Sequence, residues 1–508
     1  MRAGSAPVCV RYLDVESETT MSLTAGEQYL IELINRGRLD PLGEAARYNL
    51  DLNAGLPAGT IGTQALQVLA PNAALETAAT NHSDWMVAND SFSHGGAGGS
   101  NAGDRMQSAG YVFTGTWGWR ENLAWLGTTG RIDMEASIAQ HHEGLYRSQS
   151  HRENTFAAEM REIGIGQVGG SFTYQGTTYN SSMVTEKFAV SGTDVFVTGV
   201  AYRDADRDDF YSIGEGRQGL QISGGGSSDT TAGAGGYAIR MAAQDDVAMT
   251  VAVGGRIMGH LVVDVSDGNV KLDVVTDAQG REVAHVSSSA TLLDGIRHAS
   301  LLGSADLDLN GQGARNRLNG NGGDNDIRGG GGGDWIHGED GNDHLFGNRG
   351  NDRLYGEDGR DLLNGHSGRD RLWGGAGDDR MDGGNGKDVL KGGGGDDTMF
   401  GGRHRDILKG GAGDDVLNGG HGNDVLRGNG GADTFVFDQG RDRIKDFRDN
   451  VDTIVIDADL ARGQSVADIL DDASISHGRA ILDFGHGDVL IIDHVDNLNI
   501  LANDLIIN

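Results

Sequence analysis

From Asn310 to Phe435 the chain repeats every nine residues without a slip in register. Glycine holds the second slot of all fourteen units, from Gly311 and Gly320 to Gly428, and an apolar residue holds the ninth, from Leu318 through Met381 to Phe435. Aspartate holds the seventh slot of the last twelve: Asp334, Asp343, Asp352, Asp361, Asp370, Asp379, Asp388, Asp397, Asp406, Asp415, Asp424 and Asp433. Each unit splits into a turn, where glycine takes positive φ at no steric cost, and a short strand whose apolar residue points inward. One unit cannot bury that face alone, so coils must stack on each other and the segment is expected to be a solenoid. A glycine-rich linker would not keep three slots in register.

The fixed Asp ends the turn, where backbone carbonyls are also exposed. Carboxylate and carbonyl oxygens are the ligands Ca²⁺ prefers. Two units make one coil, so each Asp shares a side with the Asp eighteen residues on, from Asp334 with Asp352 to Asp415 with Asp433. The pattern resembles the RTX, or hemolysin-type, calcium-binding family, which implies a parallel β-roll over 310–435 holding multiple Ca²⁺ ions. Asn316 and Asn325 stand where Asp is expected and read as a capping turn; His404 replaces the second turn glycine of its unit.

Residues 22–190 have a different character. Ala25 to Asn35, Ala73 to Asn89 and Ile132 to Tyr146 carry helical periodicity, the last with Ile138, His142 and Leu145 on one face. Glu162–Val168 and Ser182–Val190 alternate like strands. Helices segregated from late strands argue for α+β. Phe92-Ser-His94, Arg120-Glu-Asn-Leu-Ala124, His142-Glu-Gly-Leu-Tyr146, Ser150-His-Arg-Glu-Asn154 and Glu162-Ile-Gly-Ile-Gly166, in that order, resemble the CAP superfamily of SCP-like, cysteine-rich secretory and pathogenesis-related proteins, in its bacterial branch. The resemblance implies an α-β-α sandwich with a cleft of two His and two Glu. Carried over, these are His94, Glu121, Glu143 and His151, with Arg120 in place of the family's glycine. Such a cleft could hold Zn²⁺ or another divalent ion, or bind a polar head group. His82 and His141 read as structural. No catalytic residue is assigned: His142-Glu143 lacks the second histidine of the zinc-protease motif, and no Gly-x-Ser-x-Gly elbow occurs.

Between these parts, residues 195–275 alternate and are rich in β-branched side chains, which predicts a small β-sandwich. Asp204, Asp206, Asp208 and Glu215 fall at positions 1, 3, 5 and 12 of a loop, the EF-hand ligand spacing, with Asp209 where that loop has its sharp-turn glycine. The flanks read as strands, and Val197 to Glu215 resembles the SdrD B-like repeat of bacterial surface proteins, which implies a further Ca²⁺ site. Residues 276–309 read as a connector and 436–508 as a C-terminal cap. The fold class is therefore multidomain: an α+β part, a β-sandwich and an all-β parallel β-roll.

Acidic residues outnumber basic ones 74 to 41, giving a net charge of −33. The excess is spread along the chain, which argues against nucleic acid and anionic membranes as partners. No run approaches a transmembrane helix. The one cysteine, Cys9, excludes an intrachain disulfide, and residues 1–21 read as disordered or as a non-native start before Met21. No cleaved secretory signal is evident. The RTX resemblance implies export by a type I exporter that reads the C-terminal tail, hence an extracellular protein. Three functions remain open: a Ca²⁺-folded carrier presenting a CAP domain to an extracellular ligand, a metal-dependent hydrolase using the His/Glu cleft, and an adhesive or matrix protein.

Overall fold

The computed structural model describes residues 23–508, so the expectations for residues 1–21 and Cys9 lie outside the described residues. Helix α1 (Ala25–Leu39) opens on a capping box: Thr24 Oγ1 accepts from Glu27 N–H, and Glu27 accepts from Thr24 N–H. Asp40 ends α1 and caps α2 (Pro41–Arg47), where proline at the first position loses no hydrogen bond. There follow β1 (Ala70–Pro71), α3 (Ala73–Ala88), α4 (Ala102–Ser108), β2 (Trp117–Thr128), α5 (Met134–Arg147), α6 (Gln149–Thr155), β3 (Glu162–Tyr174) and β4 (Thr177–Ser191).

The four strands form one sheet in the order β1-β3-β4-β2. Alternation along β4 divides the core. Val184, Phe188 and Val190 pack with Leu30, Ile34 and Ile138 of α1 and α5, while Met183 and Ala189 face the clusters built on α3. Helix α3 lies so close to β3 that a Cβ on Gly164 would stand 2.1 Å from the Leu75 carbonyl carbon. The Gly-Ile-Gly spacing of β3 is the condition for that contact. This is the α-β-α sandwich expected from the sequence.

Beyond Ser191 two long sheets run face to face to the C-terminus. One, of 16 strands, contains Val195–Arg203, Val270–Thr276, Glu282–Val286 and His298–Leu301, then every second repeat from Arg317–Asn319 onward. The other, of 15 strands, passes through Leu220–Gly224, Val247–Val253, Arg256–Val263 and Ala290–Leu292 to the alternate repeats. In the roll, paired residues are eighteen apart, as in Leu354 with Leu372 and Leu372 with Leu390. One apolar core runs through both regions from Val195 to Leu505. The middle segment therefore continues the roll: its mostly antiparallel strands give way to parallel ones at Glu282–Leu301. At the far end Leu505–Ile507 is the last strand of one sheet, and Asp488–Asp493, Arg479–Gly485 and Ser474–Ile475 close the other.

The N-terminal part docks on this shaft through buried polar contacts. Lys271 Nζ lies 2.5 Å from Glu32 and 2.6 Å from Asp273, all three buried. Asn269 Nδ2 donates to the Val68 and Arg161 carbonyls. Removing one member of a buried charge group leaves the others uncompensated. Lys271→Ala is expected to lower stability by about 3–5 kcal/mol, read as a shifted urea midpoint of the full chain.

Candidate functional site

The seventh-slot aspartates form two ladders inside the turns. In each, a backbone N–H donates to the Oδ1 of the Asp one coil further on: Asp334 to Asp352 at 2.7 Å, Asp343 to Asp361 at 2.8 Å, and so on to Asp415 with Asp433 at 3.2 Å. The other oxygen, Oδ2, is buried without a partner in every one of these aspartates from Asp334 to Asp424. It faces the second-slot glycine of its own unit. A Cβ on Gly374 would stand 2.1 Å from Asp379 Oδ2 and 2.8 Å from the Gly392 carbonyl oxygen of the next coil. Carboxylate and carbonyl oxygens thus converge on a space that only glycine leaves open, and this oxygen set fits Ca²⁺. Burial lifts these carboxyls above their ordinary range, Asp370 and Asp406 to about 8 and Asp352 to about 6.

The ladder ends are closed by other chemistry. Asn316 and Asn325 donate into it through their N–H groups; the Asn325 amide is satisfied within its turn, and the Asn316 amide accepts from Gln312 N–H and donates to the Arg297 carbonyl. At the other end Arg448 reaches Asp433 Oδ2 at 3.4 Å and Asp452 at 3.0 Å. Asp433 thus has a guanidinium where the earlier aspartates have a bare oxygen. Asp442 and Asp452 extend the ladders beyond Phe435. Asp442 keeps the nine-residue step from Asp433; loss of the second-slot glycine, replaced by Phe437, hides it from a reading of the repeats. His404 keeps the positive φ of the glycine it replaces, at 81°.

In the middle segment Asp204, Asp206 and Asp208 bring carboxylate oxygens within 4.8 Å of one another, the one such group of three His, Cys, Asp or Glu side chains among the described residues. Asp209 takes φ 54°, so the turn forms without its glycine. Glu215 folds back to accept from Ala205 N–H at 2.7 Å and Ser212 N–H at 2.9 Å.

The cleft of the N-terminal part is built differently from the expected tetrad. His94 Nδ1 lies 2.8 Å from Glu121 Oε1, and Arg105 lies 2.7 Å from Glu121 Oε2, which Lys187 also contacts. Burial alone would raise the Glu121 carboxyl, but these three partners hold it near 2. His151 stands close enough to His94 that burial and the neighbouring imidazole lower its pKa. Glu143 does not join them: it is half-exposed on α5 and pairs with Arg147 at 2.8 Å. His142, one residue earlier, turns inward to Glu44 at 3.0 Å. The structure thus brings His94 to Glu121 and near His151, and leaves Glu143 apart on α5. An open depression of about 420 Å³ remains, lined by His94, Asn101, Ala102, Trp119, Arg120, Glu121 and Asn154.

Residues 31–182 match the model of the Cysteine-rich secretory protein family, CAP, and overlapping segments of 309–444 match the RTX calcium-binding nonapeptide repeat. The chain carries a CAP domain and a calcium-binding RTX roll. Neither match covers 197–215, where the SdrD B-like resemblance lies. No curated protein matches the chain. Among solved structures, an extracellular SCP-domain protein from Bacillus anthracis str. Ames is 21% identical over 34% of this chain and 45% of that one, with a TM-score of 0.20. The AlgE6R3 subunit of the Azotobacter vinelandii mannuronan C5-epimerase is 24% identical over 29% of this chain and 80% of its own, at 0.18. The extracellular lipase LipA of Serratia marcescens is 19% identical over 42% and 40%, at 0.19. This chain thus spans 45% of the SCP-domain protein's length.

Two predictions follow from this geometry. Gly374→Ala puts a methyl group into the RTX oxygen cradle and is expected to lower Ca²⁺ content in equilibrium dialysis, whereas Gly394→Ala, in open space, should leave it unchanged. In the CAP domain, His142 and Arg36 overcome burial and hold Glu44 near 2, against 4.5 for a free carboxyl. A lowered carboxyl stabilises the fold above its unfolded pKa and loses that contribution as pH falls towards 2. Wild type should therefore exceed Glu44→Gln by about 3 kcal/mol at neutral pH, with the gap closing between pH 4.5 and 2. Urea unfolding read by hydrogen exchange at α2 measures it.

Proposed function

We propose that this is a secreted protein whose RTX roll folds on Ca²⁺ outside the cell and holds the CAP domain out to an extracellular ligand. The observation that carries the reading is the row of buried, partnerless Oδ2 atoms from Asp334 to Asp424. Without a divalent cation the stacked carboxyls must take up protons or repel, so ion binding and folding are coupled. Cytosolic Ca²⁺ is too low to fill such a module, whereas extracellular Ca²⁺ is not. A chain that stays loose before export and orders afterwards suits a type I exporter reading residues 436–508. That tail also supplies the last strand of each sheet. No helix among the described residues is long and apolar enough to cross a membrane.

The Asp204–Asp208 loop is a second class of Ca²⁺ site, with Glu215 as its position-12 ligand. In the CAP cleft the exposed His94 ring and the part-exposed Arg120 guanidinium suit a polar or anionic group on a lipid, glycan or protein. The second reading, a metal-dependent hydrolase, would use His94, Glu121, Glu143 and His151, and Glu143 would have to leave Arg147 to join it.

Far-UV circular dichroism and gel filtration of the full chain test the proposal. Ca²⁺ is expected to produce a large gain of β signal and a smaller hydrodynamic radius. Equal β signal in excess chelator would overturn it.

A further inference from the structure

One outer face of the roll departs in charge from the rest of the molecule. In the 16-stranded sheet the inward apolar residue of each repeat is flanked by two outward positions. Along the axis, one column reads His337, Tyr355, Trp373, Lys391, Lys409 and Arg427. The column beside it reads Arg317, Trp335, Arg353 and Arg371, then Val389, Ile407 and Val425, and ends at Arg443. Neither column contains an acid. The matching columns of the 15-stranded sheet, from Asp308 to Val436, contain Arg328 and Arg380 as their cations and also Asp308, Asp326 and Asp382. A chain of net charge −33 has therefore placed a cationic stripe on one of two otherwise equivalent surfaces. Glu339, Asp340, Glu357 and Asp358 bound its aromatic end, and Glu357 pairs with His337.

The aromatic rings are packed against one another rather than left open. His337 and Tyr355 stack at 4.4 Å, Tyr355 and Trp373 at 4.4 Å, and Lys391 covers the last ring at 5.4 Å. Arg353 covers Trp335 at 4.8 Å. Tyr355 and Trp373 are covered on both faces and offer their edges and polar hydrogens outward. The surface is thus a flat array of N–H and O–H donors and positive charges, repeated at the strand spacing of about 4.8 Å. Single-stranded nucleic acid is held chiefly by bases stacked on open aromatic faces, and this surface closes both faces of Tyr355 and Trp373. A sugar chain bearing one carboxylate or sulfate per ring repeats on a scale close to the strand spacing and needs donors and cations without stacking.

We propose that this face binds an acidic polysaccharide laid along the roll axis. The inference goes beyond the CAP-ligand reading and uses none of the cleft residues. It needs the roll folded, so every measurement is made in Ca²⁺, with the β signal checked by circular dichroism.

The probes are a short oligogalacturonate, a neutral dextran oligomer and a single-stranded oligothymidylate, titrated against the full chain. Binding to the oligogalacturonate is expected, weakened at least about tenfold by combined Lys391→Ala, Lys409→Ala and Arg427→Ala, with a shallower salt dependence. Arg328→Ala with Arg380→Ala, on the opposite face, should leave it unchanged. The three substitutions are also made singly, each expected to weaken binding by a smaller factor, so that a misfolded combination cannot decide the result. No binding by the intact protein, equal binding to dextran, indifference to the stripe substitutions in folded protein, or preference for the oligothymidylate would each overturn the proposal. Loss of β signal without Ca²⁺ bears on the folding reading and not on this one.

Discussion

The roll depends on how each aspartate divides its two oxygens. One accepts the N–H of the coil before it, which fixes the register at eighteen residues and ties every turn to its neighbour. The other is withheld from all protein donors. A buried acceptor with no partner is costly, and a buried carboxylate more so. The arrangement therefore carries a cost that a bound cation would remove and that the apolar ladder from Leu318 to Phe435 and the backbone pairing must otherwise offset. Glycine in the second slot belongs to the same device, since any side chain there would fill the space the free oxygens share.

A stack of identical coils needs ends that are not identical. Here the N-terminal end is a sandwich whose two sheets run on into those of the roll, so the shaft has no exposed first rung. Asn316 and Asn325 let the aspartate ladder begin with side chains whose amides find both partners in the protein. The CAP domain is fastened to this shaft by Lys271, Glu32 and Asp273 rather than tethered by a loose linker, so its position follows the order of the sheets beneath it.

Much of this was legible in the residues because the roll is periodic. Slots two, seven and nine state the turn, the ligand and the core, and the eighteen-residue pairing follows from two units per coil. Asp442 was legible in principle, since it keeps the step, but the glycine beside it is gone. The cleft was less legible. Lys187 and Arg105 reach Glu121 from distant positions, and nothing local to the Arg120-Glu-Asn-Leu-Ala124 motif announces them. Glu143 could have been set aside from helix geometry: if Ile138, His142 and Leu145 face inward, the next residue after His142 is turned about 100° away. The sandwich was legible from alternation, whereas its continuity with the roll depends on strand pairings between Glu282 and Asn319 that no spacing encodes.

Arg448 gives the roll a polarity that its repeats lack. The interior oxygens receive no cation from the protein, but at the end of one ladder Asp433 is supplied with a positive charge by the chain itself. The charge on Asp433 is therefore offset within the chain, while Asp442, which ends the other ladder, keeps the bare oxygen of the interior aspartates. The two ladders, alike through the repeats, thus differ at their C-terminal ends, where one carries its own counter-charge and the other does not.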